Sequence, residues 1–283
     1  MNSLSGCLLI NKKVGVTSRA EVNTVSKTLG IKKCGHIGTL DPFASGLLIV
    51  LVGNATKISP FLERHSKTYV ATIKLGQKTD SGDLTGNVIE EKEVPSLSKQ
   101  KIEEVLNSFL GESEQIPPMY SALKKDGKPL YEYARKGIEI ERKPRKIVIY
   151  EIKLITYSDT TITFATKVSK GTYVRTLGED IAAKLGSVGH LIELERTMID
   201  NFSIKDAISA DKVSKANLLS IEHMLSSFPF EFLNSNDAFK ALNGVPLILQ
   251  RDEPEIVLKD ANGIIAMYKR DEKGKYRCLR GLR

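Results

Sequence analysis

The stretch Lys146-Ile147-Val148-Ile149-Tyr150-Glu151-Ile152-Lys153-Leu154-Ile155-Thr156-Tyr157, then Ser158-Asp159-Thr160, then Thr161-Ile162-Thr163-Phe164-Ala165-Thr166-Lys167-Val168 holds two β-rich runs around three turn formers. That pattern predicts an antiparallel hairpin. Working outward, Tyr69–Leu75 alternates toward period two, and Cys7–Ile10 reads as a short buried strand. Between the strands stand isolated helices. One starts at Ser18, where Ser18 and Glu21 make an S-x-x-E capping box, and reaches Leu29 with Gly30 behind it. A second covers Ser98–Leu110, apolar at Ile102, Val105, Leu106 and Phe109, and a third covers Arg175–Leu185 before Gly186. Clustered strands without a βαβ rhythm predict an α+β fold with a mixed, largely antiparallel central sheet flanked by helices. A composition break at Ser226–Asp237 precedes three short strand-like runs, Ile256–Leu258, Gly263–Tyr268 and Lys275–Leu279. The chain therefore divides into residues 1–232 and a small C-terminal β appendage, 233–283, too short to stand alone and expected to pack on the main body.

With 41% hydrophobic and 27% charged residues in 283, the composition is that of a globular chain rather than a disordered one. The longest apolar run, Leu47–Val52, falls far short of the roughly 18–20 residues that span a bilayer. Met1–Gly6 lacks the basic region and apolar core of a signal peptide. A cytoplasmic protein without membrane contact is expected. Cys7, Cys34 and Cys278 cannot all pair, and His36, His65, His190 and His223 form no metal-binding spacing, so no metal is expected.

Lys and Arg outnumber Asp and Glu by 42 to 34, a net charge of +8, which points to a polyanionic partner without identifying it. The excess is localised. Lys124–Lys146 carries nine basic and four acidic residues, with Tyr120, Tyr131 and Tyr133 in or beside it; Lys269–Arg283 carries seven basic and two acidic. Two separated basic segments, one with flat aromatic surfaces beside it, suit an extended anion.

The most unusual segment is Gly35-His36-Ile37-Gly38-Thr39-Leu40-Asp41-Pro42-Phe43-Ala44-Ser45-Gly46-Leu47-Leu48. On spacing alone, Asp41-Pro42 fits an N-cap followed by a first-turn proline better than it fits catalysis. Continued to Val52-Gly53-Asn54-Ala55-Thr56-Lys57, the segment closely resembles the catalytic motif of the TruB-type tRNA pseudouridine-55 synthases. Other pieces follow in family order. Leu9-Ile10-Asn11-Lys12 through Gly15-Val16-Thr17-Ser18 resembles the N-terminal element, and Lys67-Thr68-Tyr69 with Leu75–Ser81 the tyrosine strand and its loop. Pro117–Lys124 with Gly127, Leu130-Tyr131 and Ala134-Arg135 resembles the basic insertion. Gly171-Thr172-Tyr173-Val174-Arg175-Thr176-Leu177 resembles the late active-site motif, and Gly189-His190-Leu191 through Leu194 the segment after it. Three departures stand out: Lys13 for the usual proline, Glu195 in a Leu-Arg-Arg-Thr-like stretch, and Asp200 for an expected glycine.

The resemblance implies a pseudouridine synthase fold and an isomerisation of uridine within tRNA. The C1′–N1 bond breaks, the base rotates, and a C1′–C5 bond forms. No cofactor is needed. Asp41 matches the essential carboxylate, and Arg175 the residue that pairs with it. Tyr69 matches the aromatic that stacks on the target base, Tyr173 a second wall, and Leu194 a position whose backbone meets the uracil edge. His36 matches the residue that occupies or supports the region the base vacates. Lys12, Lys124, Arg142, Lys143, Arg145 and Lys146 are expected to contact phosphates of the T-arm stem-loop. The C-terminal piece stands where the family carries a PUA-like module and reads as a reduced one. No obligate protein partner is implied. Two other classes stay open: a non-catalytic RNA-binding or tRNA-folding protein on the same scaffold, and a nucleoside or glycoside hydrolase. The intact Asp41, Tyr69, Tyr173 and Arg175 set speaks against the first. The second wants another well-placed acid, and none stands out.

Overall fold

A computed structural model of the chain describes residues 4–283; Met1, Asn2 and Ser3, which open the N-terminal stretch read above, lie outside the described residues. The expected hairpin is formed by Arg145–Tyr157 and Thr161–Val168, with Ile152 opposite Thr166 and Leu154 opposite Phe164. Ile162, Phe164, Thr166 and Val168 are buried and the residues between them are not, the period-two pattern of a strand with one face on a core.

The hairpin is part of a nine-stranded sheet. Its order across is Gly6–Lys12, Ser45–Val52, Gly189–Ile199, Lys67–Leu75, Thr161–Val168, Arg145–Tyr157 and Gly111–Gln115. Cys34–Ile37 pairs beside Ser45–Val52, and Phe202–Ser203 beside Gly189–Ile199. One pairing is parallel, where Glu195 faces Ser45 and Arg196 faces Gly46; the other ladders of the sheet are antiparallel. The sheet is thus mixed and largely antiparallel, as expected. At the parallel contact the strands come so close that a Cβ on Gly46 would stand 2.3 Å from the Arg196 carbonyl oxygen, and Gly46 has φ +108°. Only glycine fits there.

Helices Lys99–Asn107 and Val174–Lys184 cover one face, packing Ile102, Val105, Leu106, Leu177 and Ile181 onto Ile73, Ile162 and Phe164. Helix Ser18–Leu29 starts one residue from the expected cap. Thr17, not Ser18, accepts from Ala20 N–H at 3.1 Å, so the S-x-x-E box is not what opens the helix. The freed Ser18 hydroxyl turns instead to the Leu40 backbone.

The C-terminal residues form a four-stranded sheet, Phe230–Phe232, Glu255–Asp260, Gly263–Arg270 and Tyr276–Gly281. Its first strand precedes the 232/233 division. The stretch read as an interruption contains that strand and the start of a helix, Ser235–Leu242, capped by Asn234, which accepts from Asp237 N–H at 2.9 Å. Val257, Met267 and Leu282 share one buried cluster with Leu9, Ile49 and Phe61, so the appendage and the main sheet have a common core. Each such side chain contributes about 1.5–3 kcal/mol by leaving water. Arg64 adds a two-pronged contact to Glu255, at 2.7 and 2.9 Å. Among the described residues no helix is long and apolar enough to cross a membrane.

Candidate active site

Asp41 lies in the link between strands Cys34–Ile37 and Ser45–Val52, in a turn closed by Ala44 N–H donating to the Asp41 carbonyl at 3.1 Å. No helix starts there, so the carboxylate is not an N-cap. Three anchors hold the loop. The Ser18 hydroxyl donates to Leu40 O at 3.0 Å and accepts from Leu40 N–H at 2.9 Å. Gly15 N–H donates to Pro42 O at 2.7 Å. The Lys12 ammonium donates to Ala44 O at 2.6 Å, Lys13 O at 3.0 Å and Pro42 O at 3.4 Å. Lys12, expected among the phosphate contacts, is instead fully buried with its ammonium spent on these carbonyls. It is a strut beneath the loop, and burial lowers its pKa to about 8 against the pull of Glu21 and Asp41.

Facing Asp41 is Arg175, in the first turn of helix Val174–Lys184 and only 4% exposed. Its Nε stands 2.9 Å from Asp41 Oδ2. Its two terminal nitrogens donate to Ser81 O and Tyr120 O, each at 2.6 Å, and Asp83 Oδ2 lies 3.6 Å from Nη1. Asp83 is itself buried and accepts from Ser81 Oγ at 3.0 Å, Thr85 N–H at 3.0 Å and Thr85 Oγ1 at 2.6 Å. A guanidinium with every face engaged cannot swing, so it fixes the Asp41 carboxylate in one direction. Burial pushes the Asp41 carboxyl above the ordinary range, and the Arg175 charge opposes that rise.

Around this pair opens a cavity of about 780 Å³. His36, Asp41, Tyr69, Tyr173, Arg175 and Leu194 all line it, although they come from four separate segments of the sequence. Tyr69 is nearly buried on its strand, and Leu194 is 7% exposed on the neighbouring one. His36 Nε2 lies 3.1 Å from Thr39 Oγ1, and burial, then Arg196, holds its pKa low. Tyr173 stands just before the Arg175 helix, and burial raises its phenol pKa. Gln115 grips the Tyr173 backbone from both sides: its Oε1 accepts from Tyr173 N–H at 2.8 Å and its Nε2 donates to Tyr173 O at 3.1 Å.

Of the basic residues expected at phosphates, Arg145 and Lys146 line the cavity; Lys124 and Lys143 are exposed away from its wall. Arg142 is engaged internally, donating to Ile140 O at 3.0 Å, Pro117 O at 3.2 Å and Glu139 at 2.8 Å. In the C-terminal run, Arg270, Arg277 and Arg283 pair with Asp252, Asp271 and Asp260. The cavity wall itself carries seven basic side chains against Asp41 and Glu63. Sequence reading missed Lys67, Asp83, Gln115 and the buried position of Arg196. Asp83 lies two residues past the end of a recognised element, the one signal available; Gln115 reaches a partner 58 positions away, which no local pattern shows.

The three departures have definite places. Lys13, unlike proline, has an N–H, and it points to Glu21 Oε1 at 3.4 Å. Glu195 is exposed, between the buried Leu194 and Arg196. Asp200 takes the left-handed conformation, φ +52°, that a glycine would take freely, and its Oδ2 lies 3.2 Å from His65 Nδ1.

Residues 26–174 match the family model described as TruB family pseudouridylate synthase (N terminal domain). The tRNA pseudouridine synthase B of Hydrogenovibrio crunogenus is 48% identical over 260 residues, covering 90% of this chain and 84% of that protein. That of Marinomonas sp. is 38% identical over 287 residues, covering 98% and 90%. Among solved structures, a chain of a Cbf5-Nop10-Gar1 complex superposes with a TM-score of 0.76 at 22% identity, covering 98% of this chain and 85% of that one. A chain of an H/ACA RNP bound to a substrate RNA gives 0.72 at 21%, covering 98% and 85%. These two likenesses show the fold.

Proposed function

The chain belongs to the TruB family of pseudouridylate synthases, and on that premise we propose that it isomerises a uridine of tRNA to pseudouridine, the target being the T-loop uridine at position 55. The observation that carries the reading is the Asp41–Arg175 pair, 2.9 Å apart at the wall of a cavity that Tyr69, Tyr173 and Leu194 also line. A base within a folded stem-loop is out of reach until it turns out of its stack, at a cost of a few kcal/mol. In the cavity, Tyr69 offers a flat face to the uracil and Leu194 its backbone to the uracil edge. Asp41 acts as the ionised carboxylate that assists departure of N1 from C1′. The released base rotates and C5 bonds to C1′. The C5 hydrogen leaves as a proton and N1 gains one, so the atoms balance without donor or oxidant. His36 fills or supports the region the base vacates.

Arg145 and Lys146 extend the positive wall toward the T-arm, with Lys124 and Lys143 as outer contacts. Residues 1–232 carry the chemistry. Residues 233–283, together with the strand Phe230–Phe232, serve as a reduced PUA-like RNA-binding module. A cytoplasmic location goes with this reading.

The test uses a T-arm stem-loop with tritium at C5 of the target uridine. Release by the unaltered protein, none by Asp41→Asn, and RNA binding by the variant within several-fold of the unaltered protein are expected. Full release by purified Asp41→Asn would remove Asp41 from the mechanism. Free uracil among the products would mean hydrolysis instead of isomerisation.

A further inference from the structure

Two cations at the cavity have no part in that scheme. Lys67 and Arg196 are 8% and 1% exposed, yet both line the cavity. Each is anchored by backbone carbonyls. The Lys67 ammonium donates to Glu63 O at 2.9 Å and His65 O at 2.7 Å; Arg196 donates from Nε to Leu47 O and from Nη2 to Gly38 O, both at 2.8 Å. They are neighbours, since a Cβ on Gly38 would stand 3.2 Å from Arg196 Nη1 and 3.7 Å from Lys67 Cε.

Ion pairs secure Arg175 on one side of the cavity, but among the described residues none is formed by Lys67 or Arg196. Glu63, the acid that acts on Lys67, is exposed and accepts from Ser59 Oγ at 3.0 Å. Burying one cation without a counter-charge is costly, and two side by side repel as well. The strain registers on Lys67: burial first, then Arg196 and Lys170, bring its pKa down to about 8, with Glu63 opposing. Lys67 retains one unused N–H and Arg196 three. Anchored stems, unused donors and uncompensated charge on a cavity wall are what an anion site needs before its anion arrives.

We propose that Lys67 and Arg196 form a subsite for one backbone phosphodiester of the RNA, the one flanking the uridine turned into the cavity. The inference rests on the RNA-substrate reading above. A nucleotide that enters the cavity brings its own phosphate along, and the two non-bridging oxygens of a phosphodiester suit a guanidinium beside an ammonium. The anion supplies the missing counter-charge, so base entry and charge neutralisation happen together.

The experiment replaces, one at a time, the phosphates 5′ and 3′ of the target uridine with neutral methylphosphonate and measures Kd and single-turnover tritium release. In the unaltered protein one of the two replacements should weaken binding by roughly tenfold or more, the scale of a hydrogen bond to a charged group. The same replacement should cost Lys67→Met several-fold less than it costs the unaltered protein, because only Arg196 is left to meet the charge, and Lys67→Arg should keep the full sensitivity. Losses as large in Lys67→Met as in the unaltered protein would overturn the proposal. So would unaltered-protein affinities indifferent to both replacements, a result that needs no variant to fold. Kd alone decides the matter; absence of label release from the native stem-loop counts against the isomerase reading instead.

Discussion

Asp41 is held between two opposing influences, burial raising its pKa and the Arg175 guanidinium lowering it, with burial ahead. Because the folded-state value lies above the ordinary 3.8, the carboxylate ionises only at higher pH than a free Asp does. The single-turnover rate should therefore fall on acidification along a limb displaced upward from 3.8. Arg175→Met removes the main opposing charge. The limb should move further up, and the rate at neutral pH should drop by about 10²–10³, the usual loss when a preorganised charge partner is removed. A limb that stays put in Arg175→Met would mean that Arg175 does not set the Asp41 ionisation. At this scale the motifs marked Asp41, Tyr69 and Arg175, and the fold brings those three to one cavity. The sequence was not legible at Lys12. A lysine reads as surface charge, and nothing local shows that its ammonium meets the Ala44 carbonyl 32 positions away.

The elements that carry the site depend on a few tight fits. Gly46→Ala puts a methyl group into the Arg196 backbone at a φ of +108°, so the parallel contact must open. A loss of more than about 3 kcal/mol is expected, read as a lowered midpoint in denaturant unfolding. Lys12→Met leaves three carbonyls under the Asp41 loop without their donor, while relieving the burial of an ammonium. The balance should be a loss on the order of 2 kcal/mol in the same measurement. Gln115→Met keeps the volume but drops both bonds to Tyr173; it should lower the single-turnover rate more than it raises Kd, and Gln115→Glu should restore part of the rate through the Tyr173 N–H. The hairpin at 145–168 was readable because alternation runs through it with a turn between. Strand Gly189–Ile199 was not read as a strand, although it sits in the middle of the sheet. Irregularities at Leu191/Glu193 and Arg196/Met198 break its period, and Glu193 and Glu195 give it a polar look. The cap of the first helix was misread by one residue, because Thr17 and Ser18 are both good caps and the choice is settled by Leu40, far along the chain.

Over the whole molecule, charge is less free for RNA than the count of basic residues suggests. Three arginines of the C-terminal run are paired with aspartates, and Arg142 is tied into its own loop. The cavity rim at Arg145 and Lys146 keeps its charge available. Replacing both by Gln should reduce the slope of log K against log salt by about 1.5 in tRNA binding, whereas Arg142→Gln should act mainly on stability. An unchanged slope in the double variant would show that this rim does not touch phosphate. The parallel contact near Gly46 has a different bearing, on the order in which the protein is made. Arg196 bonds to Leu47, 149 positions earlier, and the strand that carries it separates the first two strands of the sheet from the rest. A chain still emerging from the ribosome has Asp41 long before it has Arg175 or Arg196. Such distant pairing is slow to form, and the half-made chain holds a loop without its clamp. The Asp41 loop therefore meets Arg175 and the strand that carries Arg196 only after about two thirds of the chain has been made.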